Sequence, residues 1–91
     1  MKLLLFAYFR DITGKTEMEW TRPAATMGEL LADMTRRYGP AFAKWVYEDG
    51  DKLSHMSILL VNGRDIRDGQ GLDTPLKPDD TIALFPPLAG G

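Results

Sequence analysis

Thr26-Met27-Gly28-Glu29-Leu30-Leu31-Ala32-Asp33-Met34-Thr35-Arg36-Arg37-Tyr38-Gly39-Pro40 reads as one helix that carries its own start and stop. Thr26 and Glu29 stand three residues apart, the spacing of a capping box in which side chains satisfy free N–H groups at a helix start. Met27, Leu30, Leu31, Met34 and Tyr38 fall at i, i+3, i+4, i+7 and i+11, so one face of the helix is apolar. Gly39 suits the residue just past a helix end, and Pro40 cannot continue the helix. A single apolar stripe must be buried against another layer. The flanking segments supply that layer.

On the N-terminal side, Lys2 to Phe9 is an apolar run of strand length. Asp11-Ile12-Thr13-Gly14 offers turn chemistry before a second strand at Thr16 to Thr21, which suggests a hairpin. Pro23-Ala24-Ala25 separates it from the helix. On the C-terminal side, Ala41 to Tyr47 reads as a short second helix carrying Phe42, Trp45 and Val46, and Glu48-Asp49-Gly50-Asp51 as a polar loop. Ser57 to Val61 is a third strand, with Asn62-Gly63 as a tight reversal. Asp73-Thr74-Pro75-Leu76 and Pro78-Asp79-Asp80 are turns, and Thr81 to Phe85 is the final strand.

The order strand, strand, helix, strand, short strand or turn, strand fits a mixed sheet of four to five strands curled around one main helix. This is the α+β arrangement called the β-grasp, or ubiquitin-like, fold. It places the first and last strands side by side and parallel in the sheet centre. The expected organisation is a domain over residues 1–85 with an extended arm over residues 86–91.

Ninety-one residues with 44% hydrophobic and 26% charged content leave room for one small soluble domain. Eleven basic and thirteen acidic residues are spread along the chain for a net charge of −2, so no electrostatic footprint for nucleic acid or anionic membrane is present. No run reaches the ~20 apolar residues of a membrane span, and the apolar start lacks a signal-peptide cleavage pattern. Cysteine is absent, which excludes internal disulfides, thiolate metal sites and a cysteine nucleophile. Cytoplasmic residence is the expectation.

The sheet strands are apolar on both faces. Leu3, Leu5 and Ala7 can face the helix, which leaves Leu4, Phe6 and Tyr8 on the other side. In the last strand, Ile82 and Leu84 inward leave Ala83 and Phe85 outward. With the two strands adjacent, Phe6 and Phe85, joined by Leu4, make an exposed apolar patch for a partner. The competing expectation is that a loop or the Phe42–Trp45 segment covers it.

Motifs with catalytic potential dissolve on inspection. Gly14-Lys15-Thr16 resembles the end of a phosphate-binding loop, but position 9 is Phe where that motif needs Gly. Gly69-Gln70-Gly71 lacks the third glycine of a dinucleotide fingerprint, and position 74 is Thr. His55 stands alone, and Asp79-Asp80 reads as a turn ahead of a strand.

What remains is the end, Phe85-Pro86-Pro87-Leu88-Ala89-Gly90-Gly91. Glycine has no Cβ, so Gly90 and Gly91 can pass through a narrow slot and leave the last carbonyl open to attack. Pro86 and Pro87 favour a stiff extended path that holds the arm away from the domain. The plain alternative is a frayed end of small residues.

With Leu5-Phe6-Ala7-Tyr8-Phe9-Arg10-Asp11, Gly14, Val61-Asn62-Gly63 and Leu76-Lys77-Pro78-Asp79-Asp80, this ending resembles the MoaD and ThiS family of ubiquitin-like sulfur carriers, on its molybdopterin-synthase branch. The resemblance implies that Gly91 is the reactive residue. A MoeB-like adenylyltransferase, related to ubiquitin-activating enzymes, joins it to AMP with ATP. A sulfur donor protein then converts it to a thiocarboxylate. It further implies that Pro86, Pro87, Leu88, Ala89 and Gly90 thread the active site of a MoaE-like large subunit, which holds the catalytic groups. There the sulfur passes to a pterin precursor of the molybdenum or tungsten cofactor. Phe6 and Phe85 match the family's apolar partner-contact positions, with Leu4 beside them in the patch read from the strand faces, and the chain itself binds no cofactor or metal. Two alternatives stand beside this: a sulfur carrier for the thiamine or cysteine pathway, and a protein modifier conjugated through Gly91.

Overall fold

The computed structural model describes residues 1–50 and 52–87. β1 (Lys2–Leu5) leads through a short helix α1 (Tyr8–Thr13) to β2 (Glu17–Glu19). The main helix α2 (Met27–Tyr38) is followed by α3 (Pro40–Val46), a small ribbon of β3 (Tyr47–Glu48) and β4 (Lys52–Leu53), then β5 (Ile58–Val61), β6 (Arg64–Asp65), two 3-10 turns and β7 (Thr81–Phe85).

The main sheet has five strands in the order β2-β1-β7-β5-β6. β1 and β7 run parallel, pairing Lys2 with Thr81 through Leu5 with Leu84, while every other neighbouring pair is antiparallel. This is the β-grasp fold, with the first and last strands adjacent at its centre. Leu3 and Leu5 of β1, Ile82 and Leu84 of β7, and Leu59 of β5 are buried on one sheet face, in one core with Met27, Leu30, Leu31 and Met34 of α2. Each such side chain contributes about 1.5–3 kcal/mol by leaving water, which is why the α2 stripe fixes which sheet face is inward.

α2 begins and ends where its caps dictate. Thr26 Oγ1 accepts from the Glu29 N–H at 3.2 Å, and Glu29 Oε1 reaches back to the Ala25 N–H at 3.3 Å. Gly39, at φ 77°, donates its N–H to the Thr35 carbonyl at 2.7 Å. Pro40 stops α2 but also starts α3, where a missing N–H costs nothing in the first turn. The expected short helix is therefore present, shifted by one residue. Asn62 and Gly63, at φ 52° and 85°, form the two-residue reversal that pairs Val61 with Arg64.

Three expectations are corrected. The strand expected over Lys2 to Phe9 stops at Leu5, because Ala7 turns the backbone to φ 51°, ψ −120° and Tyr8–Thr13 then coils. The Asp11–Gly14 turn is the closing part of α1, with Gly14 in the left-handed region and its N–H on the Arg10 carbonyl at 2.8 Å. Phe9 gains from coiling: it is fully buried and tilts against Phe42 with ring centroids 5.3 Å apart. Consequently Ala7 is exposed and does not face the helix, and Tyr8 leaves the sheet. The polar loop expected at residues 48–51 is the reversal of the β3–β4 ribbon: Glu48 ends β3, Asp49 and Gly50 turn at φ 51° and 93°, and Tyr47 pairs with Leu53 and Glu48 with Lys52; Asp51 lies outside the described residues.

Candidate functional site: the open sheet face and the end of β7

The sheet face turned away from α2 carries two apolar rows. Leu4, Ala83 and Leu60 lie side by side across β1, β7 and β5. One step along, Phe85 stands opposite Ile58, and Phe6 joins from the end of β1, its N–H bonded to the Leu84 carbonyl at 3.2 Å. Period-two alternation produces this face directly, since the residues between them, Leu3, Leu5, Leu59, Ile82 and Leu84, are all in the core.

Phe6 and Phe85 stack face to face, with centroids 4.2 Å apart and planes within 7°. Such a pair contributes about 0.5–1.5 kcal/mol beyond its buried area. Phe6 nonetheless stays 40% exposed, and Ile58 47%. Leu4 and Phe85 are half-buried. The expected cover does not lie on the pair: Phe42 is fully buried in the core, and Trp45 stacks on Tyr8 at 4.7 Å. The margin is charged, with Lys2 of β1 3.5 Å from Glu17 of β2.

β1 and β7, being parallel, finish at the same end of the sheet. Phe85 is the last residue of β7, so the chain leaves beside Phe6. Pro86 is buried and Pro87 half-buried, which makes the first residue assigned to the arm part of the packed end of the domain. Leu88, Ala89, Gly90 and Gly91 lie outside the described residues.

The remaining motifs serve structure. Gly14 closes a helix, where a phosphate loop would open one. Asp80 is buried, its carboxylate accepting from Asn62 Nδ2 at 2.9 Å and from the Lys77 N–H at 2.8 Å. His55 leans on Glu48, its Nδ1 2.7 Å from Glu48 Oε1. Among the described residues there is no cluster of three or more His, Asp or Glu able to hold a metal ion, and no helix long and apolar enough to cross a membrane.

Ile58 and Leu60 were absent from the residues singled out in the sequence. Their alternation with Leu59 carries the signal, but only the register with β7 shows that they continue the Phe85 patch.

The ThiS family model matches residues 3–91. This chain belongs to the ThiS/MoaD family of ubiquitin-like sulfur carriers and modifiers. It is 34% identical over its whole length to Small archaeal modifier protein 3 of Haloferax volcanii, covering 98% of that protein. It is 29% identical to the molybdopterin synthase sulfur carrier subunit of Escherichia coli, covering all of this chain and 99% of that one. Among solved structures, small archaeal modifier protein 1 from Methanosarcina acetivorans superposes with a TM-score of 0.83 at 33% identity, covering 99% of this chain and 94% of that one. Family membership thus covers the apolar sheet face and the glycine ending together.

Proposed function

We propose that this ThiS-family chain is a ubiquitin-like sulfur carrier and protein modifier that works through activation of its Gly91 carboxylate. A carboxylate is a poor electrophile. An adenylating enzyme therefore joins it to AMP, releasing pyrophosphate from ATP, and a nucleophile then displaces AMP from the carbonyl. With a sulfur nucleophile the product is a thiocarboxylate; with a lysine amine it is an isopeptide bond. Both branches share the first step, and both need the enzyme to grip the domain while the end enters its active site.

The observation that carries this reading is the Phe6–Phe85 stack with Leu4, an apolar face at the strand end from which residues 86–91 depart. It supplies a docking surface beside Pro86, the first of the residues proposed to thread the partner, Pro86, Pro87, Leu88, Ala89 and Gly90. The likeness to an archaeal modifier favours the branch that ends on proteins.

A second reading is the small subunit of molybdopterin synthase, giving sulfur to a pterin precursor in the large subunit. The ending Phe85-Pro86-Pro87-Leu88-Ala89-Gly90-Gly91 and the Escherichia coli relative favour it.

The test is incubation of the chain with an adenylating enzyme of the same organism, ATP and a sulfur donor, followed by intact mass. An oxygen-to-sulfur increment, lost on deleting Gly91, is expected. Its absence, together with no Gly91-dependent conjugates in cell lysate, overturns the reading. Restoration of pterin-dithiolene synthesis by the thiocarboxylate form with a large subunit selects the second reading.

A further inference from the structure

We propose that the contact surface for the adenylating enzyme continues from the sheet face around Ala7 into the groove between α1 and α3, where Trp45 is the anchor and Lys44 meets a carboxylate of that enzyme. The inference rests on the adenylation reading and names the surface it uses.

Tyr8 and Trp45 form a second parallel ring pair, centroids 4.7 Å apart and planes within 11°. Tyr8 is 39% exposed, much like Phe6 at 40%. The two pairs flank Ala7, whose φ of 51° with ψ −120° is a conformation a residue with a Cβ adopts only under strain. That turn sends Phe6 onto Phe85 and Tyr8 onto Trp45. Both pairs therefore stand at the end of the sheet where β1 and β7 finish and the chain departs. An enzyme that receives the residues beyond Pro87 must cover this end.

The groove has a volume of about 410 Å³ and is lined by Tyr8, Asp11, Ile12, Ala41, Lys44 and Trp45. Tyr8, Ile12, Ala41 and Trp45 make its apolar wall, and the Trp45 backbone is held because Ser57 Oγ donates to the Trp45 carbonyl. A large ring pre-positioned in this way is what a binding anchor requires. The charges are unequal. Asp11 lies 3.8 Å from Arg10 Nε, whereas Lys44 has no carboxylate within ion-pair distance among the described residues and lies over the Trp45 ring, its Nζ 5.0 Å from the ring centre in a cation–π contact. A cation partnered by a ring but by no carboxylate, beside an apolar wall, calls for an acidic group next to an aliphatic one on the partner.

The test measures carrier-dependent ATP–pyrophosphate exchange by the adenylating enzyme of the same organism, and carrier affinity for that enzyme by calorimetry without ATP. Lys44→Glu and Trp45→Ala are expected to raise KM and weaken affinity about tenfold or more with kcat little changed, whereas Lys44→Arg keeps both. Arg36→Glu, on the exposed side of α2, serves as the control and leaves both unchanged. Lys44 is exposed, so its variants fold. Exchange with KM and affinity unaltered in Lys44→Glu and Trp45→Ala overturns the surface and leaves the adenylation reading intact. Binding without exchange overturns that reading, and the affinities still decide the surface. No binding by the wild-type chain overturns both. A self-dimer lost in Trp45→Ala assigns the groove to a second copy and also overturns the proposal.

Discussion

Asn62 Nδ2 donates to the buried carboxylate of Asp80 at 2.9 Å, tying the β5–β6 reversal to the turn that launches β7. Asn62 Oδ1 also accepts from the Thr81 N–H at 2.9 Å, and Asp80 takes the Lys77 N–H at 2.8 Å. The Asp80 carbonyl in turn accepts from the Lys2 N–H at 3.0 Å, so one side-chain pair aligns β1, β5 and β7. Asp80→Ala removes the acceptor of the Asn62 Nδ2 and Lys77 N–H bonds; both donors belong to exposed residues that water can reach, so each lost bond costs about 0.5–1.5 kcal/mol. Denaturant unfolding is expected to show a loss of about 1–3 kcal/mol on that basis. A change below about 0.5 kcal/mol contradicts this role for the pair.

Phe6 separates binding from stability. It is stacked on Phe85 and remains 40% exposed, so truncation removes one ring contact and the buried three-fifths of the residue's surface, without opening a cavity in the core. Phe6→Ala is expected to cost about 1–3 kcal/mol of folding stability. A charge at the same place, Phe6→Asp, should abolish enzyme binding while the far-UV circular dichroism stays unchanged. Full adenylation of Phe6→Asp refutes the docking role of the sheet face.

Ala7 is the strained residue on which both aromatic pairs turn. Glycine carries no steric penalty at φ 51°, whereas a β-branched side chain is disfavoured there. Ala7→Gly is therefore expected to be at least as stable as the parent in thermal melts, since relief of strain offsets the added freedom of the unfolded chain. Ala7→Val should lose about 1–3 kcal/mol. Equal melting temperatures for the two variants would mean that the corner relaxes and stores no strain.

How far the sequence carried the fold depends on how local each signal was. α2 was legible from Thr26, Glu29, the Met27–Tyr38 stripe and Gly39, because caps and periodicity act within a few residues. The parallel neighbours β1 and β7 followed from the element order, and with them the Phe6–Phe85 patch. α1 was not legible. An apolar run such as Leu3 to Phe9 fits a strand or a short buried helix equally, and the choice was made by Phe9 reaching Phe42, a contact across distant parts of the chain. The same applies to Tyr8 and Trp45, which no spacing rule brings together. Of the arm, only Pro86 and Pro87 fall within the described residues, and the burial of Pro86 comes from its place at the end of a central strand.

Glu48 gives the ribbon a pH dependence. Its Oε1 accepts the His55 N–H at 2.6 Å and lies 2.7 Å from His55 Nδ1, and these bonds hold the carboxyl below its ordinary range, the backbone bond contributing most. A carboxyl whose folded-state value is lowered stabilises the fold fully above its unfolded value, and that contribution is lost as pH falls through the folded one. The stabilisation is therefore present at neutral pH and disappears on acidification below the usual carboxylate range. Because Glu48 is at the surface, the effect is confined to the β3–β4 ribbon, and global stability barely moves. Amide exchange at His55 and through Lys52–Leu53, corrected for the intrinsic pH dependence of exchange, is expected to lose protection as pH drops below that range. Glu48→Gln should show the reduced protection at every pH. Ribbon protection that follows the same pH curve in Glu48→Gln and the parent contradicts the assignment of the dependence to Glu48.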